Sequence, residues 1–178
     1  MTQVVALQSL FEGLFVRALQ PNGTFKERLR EKGFDLSRMQ PRYPIQVWID
    51  CVDVAISEVY PQLSRSDAWA AIGDRFVEGY FQTLVGRMIA TTLPFLSAKT
   101  FVGRSPRFIS TGLDGVQQEL KWENDKTALL SIRGGGELAG HLLVGTCRNV
   151  YRRMKIEGVK LEPKALGGLD AELRTTLP

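Results

Sequence analysis

Apolar side chains recur at helical spacing through the first half of the chain. The segment ALQSLFEGLFVRAL predicts a helix, because its apolar positions fall on one stripe. That stripe comprises Leu7, Leu10, Phe11, Leu14 and Ala18. The PNG turn ends this helix. We then expect Thr24 to cap a short, charged second helix that closes at Gly33.

The clearest periodicity belongs to a third predicted helix, which Pro61 ends. Its apolar positions are Ile45, Trp48, Ile49, Val52, Ala55, Ile56 and Val59, and their spacing of three and four predicts one buried side. Asp50 and Asp53 lie on the polar side. A pair of carboxylates can perform acid–base chemistry, but at this spacing we favour a solvated helix face.

A longer helical segment follows at residues 64–93. Ser64 and Asp67 resemble a capping box. The apolar stripe comprises Trp69, Ile72, Phe76, Tyr80, Leu84 and Met88, and the interspersed glycines are Gly73, Gly79 and Gly86. Glycine inside a helix costs about 1 kcal/mol relative to alanine. We therefore interpret these glycines as sites of close helix packing, with a helix break or room for a ligand as alternatives.

Short runs separated by turn residues predict strands after Pro94. They cover residues 107–113, 115–122 and 127–133, and a helix at 137–154 and a strand at 159–163 follow. The fold class is therefore α+β: a helical N-terminal half, then an antiparallel sheet of about four strands with a long helix before the last strand. We expect one globular domain over residues 1–165 and a loosely ordered C-terminal tail over residues 166–178.

Composition and charge exclude several classes of protein. The net charge is +4, and the small basic cluster RNVYRRMK comes with no nucleic-acid-binding motif, so we do not expect nucleic acid as a partner. No apolar stretch is long enough to span a bilayer, and the N-terminus does not resemble a secretion signal. We expect a cytoplasmic protein whose two cysteines, Cys51 and Cys147, are buried free thiols.

The stretch SIRGGGELAG places three glycines between a predicted strand and a predicted helix. Gly134, Gly136 and Ala139 match the dinucleotide-binding pattern G-x-G-x-x-A, and Glu162 closes the next strand. That mechanism needs a parallel βαβ unit, whereas the preceding strands are joined by hairpin-length turns. We therefore favour a tight turn that brings the helix close to the sheet. A nucleotide-binding enzyme that uses the Gly134–Gly136 turn remains an alternative.

Residues suited to catalysis do not form a recognisable set. His141 is the single histidine, and no nucleophile motif or group of metal ligands accompanies it. His141, Arg148 and Arg152 share one side of a helix and form a candidate anion site, although an exposed polar face accounts for the same spacing. We expect no catalytic residues, no metal and no cofactor.

Two resemblances extend this interpretation. The features LFEGLFVRAL, AWAAIGDRFVEGYFQTLVGR and IRGGGELAGHLLVG resemble a family of paralogous domains of unknown function that is expanded in myxobacteria. The second half is also similar to the haem-nitric oxide/oxygen-binding (H-NOX) domains and to V4R/TRAPP-like domains. These share helices followed by antiparallel strands, a long helix and a further strand.

The H-NOX resemblance implies a haem-gripping motif, Tyr-x-Ser-x-Arg, of which only part is present. Ser131 and Arg133 match, but Leu129 stands in the place of the tyrosine. The resemblance also implies a haem-ligating histidine on an upstream helix, and no histidine precedes this motif. Without that tyrosine and that histidine, the resemblance implies a similar scaffold that encloses an apolar pocket without the cofactor.

We therefore predict a non-enzymatic, cytoplasmic sensory or interaction module. It binds a small apolar ligand or a protein partner in signalling, and a homodimer is one form of that partner. The candidate ligand-binding residues are Trp48, Phe76, Tyr80, Phe81, Ser131 and Arg133, although aromatic residues at helical spacing are more often plain core. A haem-based gas sensor is the second alternative.

Overall fold

The computed structural model describes residues 3–178. The helices are α1 (Gln8–Phe11), α2 (Gly23–Glu31), α3 (Ile45–Val59), α4 (Arg65–Tyr80), α5 (Leu84–Thr92), α6 (Ala98–Ser110) and α7 (Ala139–Arg153). A π-helical segment, Glu12–Leu19, continues α1, and a 3₁₀ turn, Leu93–Phe95, continues α5. The strands are β1 (Val5–Leu7), β2 (Arg42–Pro44), β3 (Leu113–Asp114), β4 (Gln117–Trp122), β5 (Thr127–Arg133), β6 (Lys160–Gly167) and β7 (Asp170–Thr176).

The strands of the described residues form two antiparallel sheets. The smaller sheet has the order β2-β1-β3, and the larger has the order β4-β5-β7-β6. In the larger sheet, Leu130 of β5 pairs with Leu120 of β4 and with Leu173 of β7. Alternate residues of β5 and β7 are buried, so one side of this sheet faces the core. The α+β fold class is confirmed.

Helix α7 connects the two halves of the molecule. It packs against the larger sheet and against α4, and α4 also packs against the π-helical segment. An aromatic cluster fills the space among the N-terminal helices, where the rings of Phe11 and Trp48 lie 5.3 Å apart and those of Phe15 and Phe34 lie 5.2 Å apart. These rings belong to one large apolar core that reaches α7 and the sheet.

Several predicted elements are confirmed. Helix α3 has the predicted bounds, and the apolar stripe is buried from Ile45 to Ile56. The hydroxyl of Ser64 accepts a hydrogen bond from the Asp67 amide, which confirms the predicted cap of α4. Strand β5 matches the predicted residues 127–133, and both cysteines are buried free thiols.

The predicted helix over residues 64–93 is two helices. The break lies at Phe81–Thr83, where the Thr83 hydroxyl accepts a hydrogen bond from the Gly86 amide and caps α5. Leu84 and Met88 are exposed, so the predicted burial of both is wrong. Thr24 is also not a cap, because α2 begins at Gly23 with Asn22 in the N-cap position.

The strand predicted at residues 107–113 is wrong, because residues 98–110 form α6. The Ser97 hydroxyl accepts a hydrogen bond from the Thr100 amide and caps this helix. Pro106 lies inside it and cannot donate to the Val102 carbonyl. The Ser105 hydroxyl donates to that carbonyl instead, at 2.8 Å, which explains how the helix tolerates the proline.

The C-terminal residues 166–178 are not a loose tail. Residues 170–176 form β7, which lies between β5 and β6 in the larger sheet. Ala171 and Leu173 of this strand are buried. The long helix α7 therefore precedes two strands rather than the last one, and the sheet has its four strands without residues 107–113.

Between residues 3 and 178, no helix combines the length and the apolar character that crossing a bilayer requires.

Candidate functional site

An apolar cavity of about 140 Å³ lies among the helices. Helix α4 contributes Phe76 and Tyr80 to its lining, α6 contributes Phe101 and Phe108, and α7 contributes Leu142 among others. The N-terminal helices contribute Leu10 and Trp48 to the lining, and α5 and its 3₁₀ turn contribute Ile89 and Leu93. The cavity therefore lies where both halves of the fold meet.

The few hydroxyl groups that line the cavity form hydrogen bonds with other groups of the protein. The Thr111 hydroxyl donates to the Phe108 carbonyl at 2.6 Å, so the Tyr80 hydroxyl is the donor in its 2.7 Å hydrogen bond to Thr111. The Thr146 hydroxyl donates to the Leu142 carbonyl at 3.0 Å. With these donors satisfied, the cavity has little hydrogen-bonding capacity to offer and favours an apolar occupant.

The thiol of Cys147 also lines the cavity. Burial raises the pKa of this thiol to about 12, because a thiolate is poorly solvated there. Burial likewise raises the pKa of Tyr80, which the Thr111 hydrogen bond partly opposes. Both groups are therefore neutral at physiological pH, which agrees with an apolar site.

The size of the cavity limits what it can hold. Pockets for drug-sized ligands have volumes of roughly 300–1,000 Å³. Dry apolar cavities of about 150 Å³ bind benzene or xenon in other proteins. A cavity of about 140 Å³ is therefore matched to a small apolar molecule.

The four aromatic residues singled out from the sequence all line this cavity: Trp48, Phe76, Tyr80 and Phe81. The rings of Phe76 and Tyr80 lie 4.9 Å apart, and those of Trp48 and Phe76 lie 6.3 Å apart. Helical spacing on α4 brings Phe76 and Tyr80 together, whereas tertiary packing of α3 brings Trp48 to them.

Ser131 and Arg133 lie elsewhere. Both side chains extend from β5 toward β7, where Ser131 donates to Glu172 at 3.1 Å and Arg133 forms an ion pair with Asp170 at 3.2 Å. Neither residue lines the cavity. The residue between them on β5, Ile132, does line it, so the strand contributes through its apolar side.

Sequence reasoning missed the walls that α5 and α6 provide. Phe101, Ser105 and Phe108 of α6 line the cavity, and their spacing of four and three residues is helical. That periodicity is present in the sequence, but the short run RFISTGL before the LDG turn predicts a strand over residues 107–113. Ile89 and Leu93 were missed because the predicted helix carried its apolar stripe along a different side.

The glycine turn is occupied by protein groups. Asp170 accepts a hydrogen bond from the Gly134 amide at 3.0 Å, and the Leu169 carbonyl accepts one from the Gly136 amide at 2.9 Å. Both residues have positive φ angles, 81° and 107°, which explains why glycine occupies these two positions. The neighbours of β5 are antiparallel. A carboxylate at the amides opposes phosphate binding, which weakens the nucleotide alternative.

Of the three residues of the candidate anion site, the two arginines line one surface groove, and His141 is not among the residues that line it. Burial lowers the pKa of His141, and the charge of Asp67 partly opposes this. Arg148 and Arg152 line this groove together with Lys155. Arg152 also forms an ion pair with Asp74 at 2.9 Å, so its charge is already partnered.

The aspartate pair of α3 has no catalytic geometry. Asp53 accepts hydrogen bonds from the Trp69 indole at 2.9 Å and from Arg65 at 2.7 Å. Asp50 accepts one from Gln46 at 2.7 Å. Asp53 therefore joins α3 to α4, and its role is structural rather than that of a simple solvated residue. In the described part of the chain, no group of three or more His, Cys, Asp or Glu residues could hold a metal ion.

The architecture is that of the H-NOX domains. An H-NOX protein from S. oneidensis, solved in the Fe(II)NO ligation state, superposes with a TM-score of 0.70 at 12% identity, covering 97% of this chain and 99% of that one. A mutant of an H-NOX protein from K. algicida, in its Fe(II) unliganded state, gives 0.60 at 10% identity, covering 97% and 96%. A mutant of the T. tengcongensis H-NOX protein gives 0.50 at 11% identity, covering 86% of each chain.

At these identities the likeness shows a shared fold. By sequence, the chain belongs to the family described as "Protein of unknown function (DUF2378)", whose model matches residues 5–176. A search of curated proteins found no significant relative.

The residues present do not fit a haem. Haem iron needs an axial ligand from His, Cys, Met or Tyr, and His141 is not among the cavity-lining residues. Burial raises the pKa of the Cys147 thiol, which disfavours the thiolate that iron binds, and the Tyr80 hydroxyl is bound to Thr111. Arg133, which the resemblance assigns to the propionates, is paired with Asp170.

Proposed function

We propose that the chain is a non-enzymatic sensory module that binds a small apolar ligand in the cavity between α4, α6 and α7. The observation that carries this proposal is the cavity itself, whose lining is apolar and whose hydroxyl groups are bound internally. A ligand there would contact helices from both halves of the fold. Its binding can therefore alter their packing, which is what a sensory module requires.

Among the described residues, the side chains that could act in catalysis do not form a catalytic site, which supports the non-enzymatic part of the proposal. Burial raises the pKa of both Cys51 and Cys147 to about 12, so neither is an activated nucleophile at neutral pH. Between residues 3 and 178, His141 has no nucleophile among its hydrogen-bond partners, and Asp53 is committed to Arg65 and Trp69.

Titration with benzene, followed by protein-observed NMR, tests ligand binding. We expect saturable shifts for one site, centred on residues that line the cavity. Cys147→Met places extra side-chain volume in the cavity and should abolish these shifts. Cys51 is also a buried free thiol but does not line the cavity, so Cys51→Met is the matched control.

Overpacking at Cys51 should lower the free energy of unfolding by about 1–3 kcal/mol and leave benzene binding intact. If this variant does not fold, Cys51→Ala replaces it as the control. Unsaturable shifts in the wild type, or full binding by Cys147→Met, would contradict the proposal.

The alternative of a haem-based gas sensor rests on the shared fold with H-NOX domains. An absorption titration with haemin distinguishes it. Our proposal predicts no stoichiometric Soret band, because the cavity supplies no fitting axial ligand. A band that saturates at one haem per chain would favour the gas sensor.

A further inference from the structure

The outer side of α5 is apolar and uncovered. Leu84 is 78% exposed, Met88 is 67% exposed, and Phe95 in the following 3₁₀ turn is 86% exposed. Their spacing of four and seven residues places them on one side of a helical segment. A solvent-facing helix side normally carries polar residues, so this surface, Leu84–Met88–Phe95, is suited to contact with an apolar phase.

The inner side of the same segment lines the cavity through Ile89 and Leu93. Helix α5 is therefore apolar on two opposite sides. The apolar residues on the inner side are accounted for by their contacts with the cavity and the core. The outer surface contributes nothing to either, and its exposure of three large apolar residues is unfavourable unless something covers it.

The charge of the surrounding segment indicates what covers it. Residues 79–113 contain four basic side chains and no acidic one, and the remaining 19 basic residues are matched by all 19 acidic residues of the chain. The whole net charge of +4 therefore falls in this segment. Lys99 pairs with Asp125. Arg87, Arg104 and Arg107 are exposed, and none forms an ion pair with a residue of the described range 3–178.

We propose that the surface Leu84–Met88–Phe95 inserts into the headgroup region of an anionic lipid bilayer, to which the three arginines are attracted. Exposed apolar side chains in a segment whose charged residues are all basic are typical of segments that lie in a membrane interface. Unlike a protein partner, a bilayer needs no hollow that matches protruding side chains. A second copy would bring two acid-free segments together, which the like charges oppose.

This inference is independent of ligand binding in the cavity. It concerns association with a membrane surface, and it requires no membrane-spanning segment. The shared helix nevertheless places the bilayer contact one helix width from the cavity, so an apolar compound dissolved in the membrane is close to the site.

Co-sedimentation of the full chain with vesicles tests the proposal. We expect binding to phosphatidylcholine–phosphatidylglycerol vesicles, weaker binding at high salt, and little binding to pure phosphatidylcholine vesicles. The double variant Leu84→Glu/Met88→Glu should lower the partition coefficient at least tenfold. Leu63→Glu alters another exposed leucine, 41% exposed in the loop before α4, and should leave it unchanged.

A second pair of variants tests the contribution of the arginines to membrane binding. Arg87→Gln should lower partitioning about fivefold, the equivalent of about 1 kcal/mol for one basic side chain near an anionic surface. Arg38→Gln, which changes an exposed arginine outside the segment, should have little effect. Circular dichroism confirms that each variant is folded.

Three outcomes would overturn the proposal: no binding of the wild type to anionic vesicles, equal binding to both kinds of vesicle, or equal losses for Leu63→Glu and the double variant. Sedimentation velocity supplies a fourth. If the wild type is a dimer that the double variant converts to a monomer, a second copy covers this surface instead.

Discussion

A single buried side chain, Asn149, joins the two central helices. It is fully buried, and its amide donates to the Asp74 carbonyl at 3.1 Å and to Glu78 at 2.7 Å. Arg153 in turn donates to both Asn149 and Glu78 at 2.7 Å. The basic cluster at the end of α7, which the sequence presents as a charged surface, is thus partly a structural contact with α4.

Glu78 gives this contact a dependence on pH. The hydrogen bond from Asn149, followed by that from Arg153, lowers the pKa of Glu78 below its ordinary value of 4.5. The folded state therefore favours the carboxylate. The resulting stabilisation is complete above about pH 4.5 and is lost as the pH falls through the lower value of the folded state.

We predict that Glu78→Gln lowers the free energy of unfolding at neutral pH by about 1 kcal/mol or less, since the side chain is 48% exposed. The difference from the wild type should shrink as the pH falls below about 4.5. Urea unfolding at a series of pH values measures it, with Glu31→Gln on α2 as the control. A difference that is constant with pH would contradict this explanation.

At the scale of elements, α4 and α7 approach closely because two glycines face the contact. A Cβ atom at Gly145 would overlap the Ala70 carbonyl, and one at Gly73 would overlap the Leu142 carbonyl. The obstacles are backbone atoms, which cannot move without separating the helices. The interpretation of the α4 glycines as packing sites therefore agrees with the structure.

We predict that Gly145→Ala lowers the free energy of unfolding by about 3 kcal/mol, the effect of overpacking a close contact. Gly103→Ala is the matched control, because nothing lies within 4 Å of a Cβ atom there on α6. It should raise the free energy of unfolding by about 0.5–1 kcal/mol. Thermal and urea unfolding measure both, and equal effects of the two variants would contradict the packing argument.

Element prediction from the sequence succeeded where burial repeats regularly. The apolar stripe of α3 and the alternating burial of β5 each result from contact with one core face. The local pattern of apolar residues is therefore enough to predict both elements. It failed for α6 because the short run at residues 107–113, bounded by a turn, resembles a strand. The Ser105 hydroxyl donates to the Val102 carbonyl, which lets the helix continue through Pro106. It failed for β7 because a glycine pair near a chain end is as typical of a loose tail as of a hairpin turn, and here residues 167–168 lie in the turn between β6 and β7.

The same limits apply to the candidate site. Trp48, Phe76 and Tyr80 are aromatic residues on apolar stripes, and Phe81 follows Tyr80 directly. All four line the cavity. The resemblance implied an apolar pocket, but its size and its walls on α5 and α6 could not be predicted, because they depend on how the helices pack against one another. Ser131 and Arg133 came from the resemblance, and their pairing with β7 depends on a strand that the sequence did not reveal.

At the scale of the whole molecule, the C-terminal strand holds the sheet together. Strand β7 pairs with both β5 and β6, so its removal leaves β6 without a neighbour and takes the buried side chains of Ala171 and Leu173 out of the core. A chain truncated after Ala165 should therefore fail to fold cooperatively. Truncation after Thr176, which retains all of β7, should have little effect.

Circular dichroism and heteronuclear NMR spectra of the two truncated chains test this prediction. Cooperative unfolding of the shorter chain, with dispersed amide resonances, would show that residues 166–178 are dispensable after all.

The fold combines an H-NOX-like architecture with side chains that do not fit a haem. The space among α4, α6 and α7 remains apolar, and its volume of about 140 Å³ matches a small apolar molecule. The central claim is that this space is a binding cavity rather than an incidental packing defect of the helices.

A crystal structure determined under xenon pressure tests that claim most directly, because xenon is small and apolar and is readily located by its anomalous scattering. The account predicts a well-occupied xenon site in contact with Phe76, Leu142 and Cys147, and no site there in Cys147→Met. A pressurised wild-type crystal with no xenon among α4, α6 and α7 would contradict it.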